Sequence, residues 1–324
     1  MDSTRRREGI QAALASAFFL GLAPIFGKQA ILLGLSPIAV VALRTLLATL
    51  LLLVVMFLFR RKYFFIYPAG LIGCFLAGAL NGTGSLLYYG ALGRVDAGLG
   101  QLLYALYPLF VALWSRLDQQ SLSNLTKVRL GMALPALYLL TRTNTASIDL
   151  TGMGMMLAAS ALYALHLPIN QRVLYDMPVQ TVTLYTLISM SAVVGPVYLL
   201  SIPKFVGETG LLFSTPTQAW WAVAALTLFT FLSRLTLFKG VKHLGGIQTA
   251  LLGLSELVVT IYFAHSLLGE RLSLSQWGGL AILVISLLLV GFETPTARRD
   301  TKRGWLHWLQ RPGIPIEIDW QMHK

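Results

Sequence analysis

Apolar residues in this chain gather into long runs, separated by short polar stretches rich in Lys and Arg. A helix that crosses the hydrocarbon core of a bilayer needs about 20 mostly apolar residues. Ten such runs are read, at roughly 10–30, 37–59, 68–90, 97–116, 128–141, 152–172, 178–200, 219–240, 245–267 and 275–292. The fifth is the shortest. The first follows Arg5-Arg6-Arg7, the basic start of a signal peptide, but its apolar run is long and nine more follow. It is therefore read as a mature helix. The pattern predicts an all-α integral membrane protein with ten transmembrane helices.

Composition agrees. Of 324 residues, 56% are hydrophobic and only 12% charged, and the mean hydropathy is +0.70. Soluble domains carry about twice that share of charge. A soluble enzyme, a disordered tail and a nucleic-acid binder are excluded. The single cysteine, Cys74, excludes an internal disulfide and a cysteine-based zinc site. The five histidines show no metal-ligand spacing, so no metal and no cofactor is expected.

The 25 basic against 13 acidic residues leave a net charge of +12. Assigning Lys and Arg to alternate sides of the ten spans, N-terminus inside, puts 18 inside and 5 outside, with Arg44 and Arg234 inside spans. Positive loops resist translocation. Both termini are thus expected in the cytoplasm of a multi-pass cell-membrane protein, and the charge is an orientation signal with some attraction to membrane lipid. The basic tail, 293–324, contains Trp305, Trp308 and Trp320. It is read either as loosely ordered with a few membrane-touching aromatics, or as forming one interfacial helical turn around Trp305-Leu306 and Trp308-Leu309.

The chain also repeats itself. Ser16-Ala17, six residues, then Pro24 recurs as Ser160-Ala161, six residues, then Pro168; Pro37 matches Pro178; Gly131-Met132-Ala133 matches Gly279-Leu280-Ala281. The offsets are 144, 141 and 148. Two halves follow, 10–145 and 150–292, of five helices each. Five is odd, so the second half must enter the bilayer from the opposite face. Inverted repeats around a midplane site are a transporter architecture.

Polar residues inside the spans fall at helical spacing: Asn81, Ser85 and Tyr88; Gln101 and Tyr104; Tyr163, His166 and Asn170; Thr227, Thr230 and Arg234; Gln248, Ser255 and Glu256. Such groups are costly in lipid and ask for a partner or a watery cavity. They are read either as hydrogen-bonding glue between helices or, taken together, as the lining of a shared cavity. The cavity reading takes Asn81, Tyr88, Gln101, Tyr104, His166, Asn170, Arg234, Gln248 and Glu256 as substrate-binding. Glu256, near the bilayer centre, either forms a structural ion pair with Arg234 or Arg44, or titrates, or binds a cationic group of the substrate. Glu256 and His166 are the possible proton or charge carriers; His166 is alternatively a hydrogen-bonded packing residue. Arg44 is read as a structural intramembrane charge. The glycine-rich run 78–84 either loosens its helix or lets two helices approach closely.

Three stretches carry a resemblance to a known family. Ala42-Leu43-Arg44-Thr45-Leu46-Leu47-Ala48 resembles an "LRfllA" segment. Leu254-Ser255-Glu256-Leu257 resembles an "LEP" segment with Leu257 in place of Pro. Leu268-Gly269-Glu270-Arg271-Leu272-Ser273 followed by Gln276-Trp277-Gly278-Gly279 resembles an "lGErls…qwiG" ending. Together they resemble EamA-type transporters of the drug/metabolite transporter superfamily. In the first half, Asp118-Gln119-Gln120-Ser121-Leu122-Ser123 departs from the glycine–glutamate pair often found after the fourth helix, which weakens the symmetry of the halves. The resemblance implies carriage of a small organic solute, an amino acid, another metabolite or a drug-like compound, often outward.

The reading is a non-enzymatic secondary transporter with a small-molecule solute and membrane lipid as its partners. The alternative is a passive channel or lipid scramblase. A membrane enzyme, needing clustered acids or histidines near an interface, and a scaffold without transport fit the pattern less well. The sequence does not specify an oligomeric state.

Overall fold

The computed structural model describes residues 3–95, 97–118, 122–141, 149–209, 217–268, 274–289 and 305–309, and these are helical throughout, apart from turns and short connections. The helices are α1 (Ser3–Leu32), α2 (Pro37–Phe59), α3 (Pro68–Leu92), α4 (Ala97–Tyr104), α5 (Tyr107–Leu117), α6 (Asn124–Thr141), α7 (Leu150–Asp176), α8 (Val179–Thr209), α9 (Thr217–Leu244), α10 (Gly246–Gly253), α11 (Ser255–Leu268) and α12 (Leu274–Leu288). Among the described residues six helices are long and apolar enough to cross a membrane: α1, α2, α3, α7, α8 and α9. Their outer faces remain greasy. Leu50, Phe57, Leu58, Ile72, Leu199 and Trp221 are all exposed, as lipid-facing side chains should be.

Two of the predicted spans are not single helices. The fourth breaks between α4 and α5, and the ninth between α10 and α11. The first break has a local cause. Pro108 has no N–H to give the carbonyl four residues back, that of Tyr104. The Ser160 hydroxyl on α7 takes that carbonyl instead, at 2.8 Å. At the second break the Leu254 N–H turns to Leu251, at 3.4 Å, and the Tyr107 hydroxyl donates to the Ala250 carbonyl, at 3.0 Å. A carbonyl freed by a break in lipid must find another donor, and each break finds one on a neighbouring helix.

The two halves pack as counterparts. α1 lies along α9 as α7 lies along α3; α1 also meets α10 and α11 as α7 meets α4 and α5; α2 packs on α8 and α6 on α12. Exchanging the halves leaves this pattern unchanged. They also run in opposite directions. The start of α1 meets the end of α9 through Glu8 and Lys239, 3.2 Å apart, and the end of α9 meets the residue after α7 where Lys242 donates to the Met177 carbonyl at 3.0 Å. So α1 begins at the end of the bundle where α7 finishes.

The glycine-rich run is resolved in favour of close approach. α3 is continuous through it, and a Cβ on Gly78 would come within 2.5 Å of the Ser189 Cβ on α8. The tail segment 305–309 is docked rather than loose. It ends in a 3-10 turn, His307–Leu309. Leu306 and Leu309 are fully buried beside Ala77 and Ile169, while Trp305 and Trp308 face outward. Its anchors are polar: the Leu306 N–H donates to Asp118 at 3.2 Å and the Tyr67 hydroxyl to the Leu309 carbonyl at 3.0 Å. Asp118 is also paired with Arg172, at 2.7 Å, both buried. The stretch that departs from the family pattern thus supplies a buried ion pair at this end of the bundle. Its counterpart in the second half, around Glu270, lies outside the described residues.

Candidate functional site

Where the two broken helices meet α1, α2, α3, α7 and α9, a small cavity of about 50 Å³ opens. That is room for a few waters. Its walls are Leu20, Ala23 and Pro24 on α1, Arg44 on α2, Ser85, Tyr88 and Tyr89 on α3, Gln101 and Tyr104 on α4, Tyr163 on α7, Arg234 on α9 and Glu256 on α11.

Glu256 stands in the first turn of α11, immediately beyond the break. The free N–H groups and positive dipole end of that helix favour a carboxylate there. α1 closes on it from behind. Gly21 is the point of contact: a Cβ there would lie 2.6 Å from the Glu256 carbonyl oxygen, and the Gly21 carbonyl accepts from the Thr260 hydroxyl at 2.9 Å. In front, Gln101 joins two groups. Its Oε1 accepts from the Tyr88 hydroxyl at 2.6 Å, which turns its Nε2 to donate to Glu256 Oε1 at 3.2 Å. This chain ties α3, α4 and α11 together across both halves.

The two arginines face the same space. Arg44 donates through Nη2 to the Ser85 hydroxyl at 3.3 Å and lies over the Tyr89 ring, 4.7 Å from its centroid. Arg234 is held by Asn81. With the amide turned as its neighbours favour, its oxygen accepts from Nη1 and Nη2 at 2.8 and 3.1 Å. The Nε of each arginine has no partner among the described residues. Arg44 is 7%, Arg234 5% and Glu256 3% exposed; all three are withdrawn from lipid, yet among the described residues no ion pair joins Glu256 to either guanidinium. Of the alternatives read for Glu256, the ion pair is therefore absent among the described residues of this arrangement.

Tyrosines line one flank. Tyr89, Tyr88, Tyr104 and Tyr163 form a ladder of edge-to-face and tilted rings, with successive centroids 5.2, 4.8 and 5.4 Å apart. Tyr104 lines the cavity, as its shared face with Gln101 predicts.

Of the nine residues the sequence nominates for binding, the structure brings five to the cavity wall: Tyr88, Gln101, Tyr104, Arg234 and Glu256. Asn81 is one step behind, on Arg234. His166 lies behind Tyr163, its ring 4.7 Å from that tyrosine and 6.3 Å from Phe238; Nδ1 meets the Tyr163 carbonyl and Nε2 has no partner among the described residues. Asn170 accepts from the Thr186 hydroxyl at 3.3 Å. Gln248 accepts from Arg129 at 2.9 Å and donates to Thr126 at 3.3 Å, in a buried joint between α6 and α10. These three do not reach the cavity in this arrangement. Arg44, nominated as a structural charge, does line it, together with Ser85, Tyr89 and Tyr163. Ser85 and Tyr163 carried a signal in the polar stripes. Tyr89 carried a two-sided one: as an aromatic in a span it could stack on a substrate, or sit in a lipid-facing belt near an interface.

Among the described residues no group of His, Cys, Asp or Glu is arranged to hold a metal ion.

The model of the EamA-like transporter family matches this chain twice, over residues 7–142 and 150–292. One solved structure, described only as "Crystal structure of protein", has a similar fold, with a TM-score of 0.65 at 17% identity over 90% of this chain and 98% of its own. No curated protein matches the chain.

Proposed function

The chain belongs to the EamA-like transporter family, and from that membership we propose that it is a secondary transporter. It carries a small organic solute, an amino acid or other metabolite or a drug-like compound, across the cell membrane by alternating access. Export is the direction the resemblance favours. In this reading α4 with α5, and α10 with α11, each make one crossing. Together with the other eight helices that makes ten crossings, with both termini in the cytoplasm on the 18:5 bias of basic residues.

The observation that carries the proposal is the pair of broken helices, one in each inverted half, meeting beside a buried cavity with both signs of charge. Discontinuous helices at the interface of inverted repeats are where transporters place substrate. Two nearly equivalent halves supply two nearly equivalent packings, one open to each side. Substrate binding is assigned to Tyr88, Gln101, Tyr104, Arg234, Glu256 and Arg44, with Asn81 positioning Arg234. The sequence holds no phosphate-binding loop, so uphill work comes from an ion or solute gradient, with Glu256 as the charge-coupling group.

Flux into liposomes containing the purified protein tests this. A carrier saturates with solute; a channel or scramblase does not. Flux that rises linearly with solute would replace the carrier with a passive pore. If Glu256→Gln transports at the wild-type rate at every pH, the carboxylate has no part in coupling.

A further inference from the structure

The cavity holds two guanidinium groups and one carboxylate, and it leaves one surplus positive charge. Each arginine is more than nine-tenths buried, each keeps a buried Nε with no hydrogen-bond partner, and neither has a carboxylate within ion-pair distance among the described residues. Their neutral partners, Ser85 and Asn81, satisfy only part of the five-donor fork that each guanidinium presents. A buried cation without a counterion is costly. Elsewhere in this protein that cost is met: Arg172, equally buried, lies 2.7 Å from Asp118. In the cavity none of the described residues supplies that acid, and a bound solute can.

We infer that the solute is a small acid with one more negative than positive group, of the kind represented by an amino acid with an acidic side chain. The inference rests on the carrier reading above and narrows its substrate class. Two carboxylates meet Arg44 and Arg234, whose flat forks match carboxylate geometry. The ammonium meets Glu256, whose Oε1 already accepts from Gln101 and whose remaining lone pairs are open to a second donor. The aromatic rings of Tyr88 and Tyr104 line the same cavity, and an aromatic ring attracts a cation placed over its face. Each charge of the solute then has a counterpart, and the cavity becomes neutral on binding. The present cavity, about 50 Å³, must widen to admit such a solute, as alternating access requires.

Purified wild-type protein in chloride-free buffer is titrated with L-aspartate, L-asparagine, L-glutamate and L-glutamine, and ligand-induced thermal stabilisation is read. Each acid and its amide differ by one charge at nearly constant shape. Each acid is expected to bind about tenfold more tightly than its amide, the order of one charge-assisted hydrogen-bonded contact. Succinate, which lacks the amine, is expected to bind about tenfold more weakly than aspartate. In Arg44→Gln and in Arg234→Gln the acid-to-amide ratio is expected to fall towards one. The ratio is internal to each variant, and the wild-type comparison needs no variant to fold. Amides that bind as tightly as the acids, or stabilisation by none of the four, overturn the inference. Saturable flux of a neutral or cationic solute with no preference for acids would sink it and leave the carrier intact; linear flux would sink the carrier.

Discussion

The break between α4 and α5 offers a test of what the structure says about helix discontinuity. Pro108 leaves the Tyr104 carbonyl without an intrahelical donor, and the Ser160 hydroxyl is its substitute, at 2.8 Å from a fully buried serine. Ser160→Ala removes that donor and little else, since it deletes one oxygen. An average hydrogen bond between membrane helices is worth about 0.6 kcal/mol. This one is expected to cost more, about 1–2 kcal/mol, because a buried carbonyl that loses its one donor bears its own desolvation cost. That shifts the ratio of folded to unfolded protein by roughly 5- to 30-fold. Pro108→Ala restores a backbone N–H four residues after Tyr104, so it should make Ser160 dispensable. The pair is therefore non-additive: Ser160→Ala in a Pro108→Ala background is expected to cost under about 0.5 kcal/mol. Unfolding of the four proteins by sodium dodecyl sulfate in mixed micelles measures all the terms. Equal costs of Ser160→Ala with and without Pro108 would refute the argument that this serine repairs a carbonyl the proline exposes.

Three further expectations follow from the packing. Gly78→Leu places a side chain where α3 touches α8; overpacking of this kind costs about 1–3 kcal/mol and lowers the unfolding midpoint, whereas Leu at Gly195, with nothing within 4 Å of its Cβ position, leaves it unchanged. Charging the docked tail with Leu306→Asp and Leu309→Asp expels it from its site; at Val173, which is buried and shares with Leu309 the space over Gly73, Val173→Cys in a Cys74→Ala background then reacts with maleimide faster than with the native tail. At the opposite end of the bundle, the Asp149 carboxyl caps α7, and the Gly152 N–H first, then the Thr151 N–H and the Arg94 charge, hold it below its usual range. A carboxyl lowered on folding contributes stability above its unfolded pKa, about 3.9, and loses it as pH falls through the folded value. Asp149→Ala is therefore expected to lower the thermal midpoint at pH 7 and to make little difference well below pH 3; an equal effect at both would exclude the ionised cap.

Gln101 and Gln248 mark where sequence reading succeeds and stops. Lipid imposes apolar runs of fixed length, so helix positions, the membrane class and even the duplication are written along the chain. An odd number of helices per half, read from those runs, predicts the inverted arrangement. Polar stripes likewise pointed to Gln101, Arg234 and Glu256, because a polar group in lipid must have a purpose. The same stripes also nominated Gln248 and Asn170, which bond to Arg129 and Thr186 away from the cavity. Periodicity gives the face of a helix, but not what lies opposite it.

By itself the sequence determined a duplicated, all-helical membrane protein and the short set of charged residues it could not afford to leave in lipid. The tertiary structure alone decided that the fourth and ninth runs break, that Arg44 is a cavity residue and that Glu256 has no ion-pair partner among the described residues. The physical reason is that apolar length and helical period are local properties of the chain. Which donor satisfies a freed carbonyl, and which charges share a cavity, depend on residues more than 100 positions apart being brought together by packing.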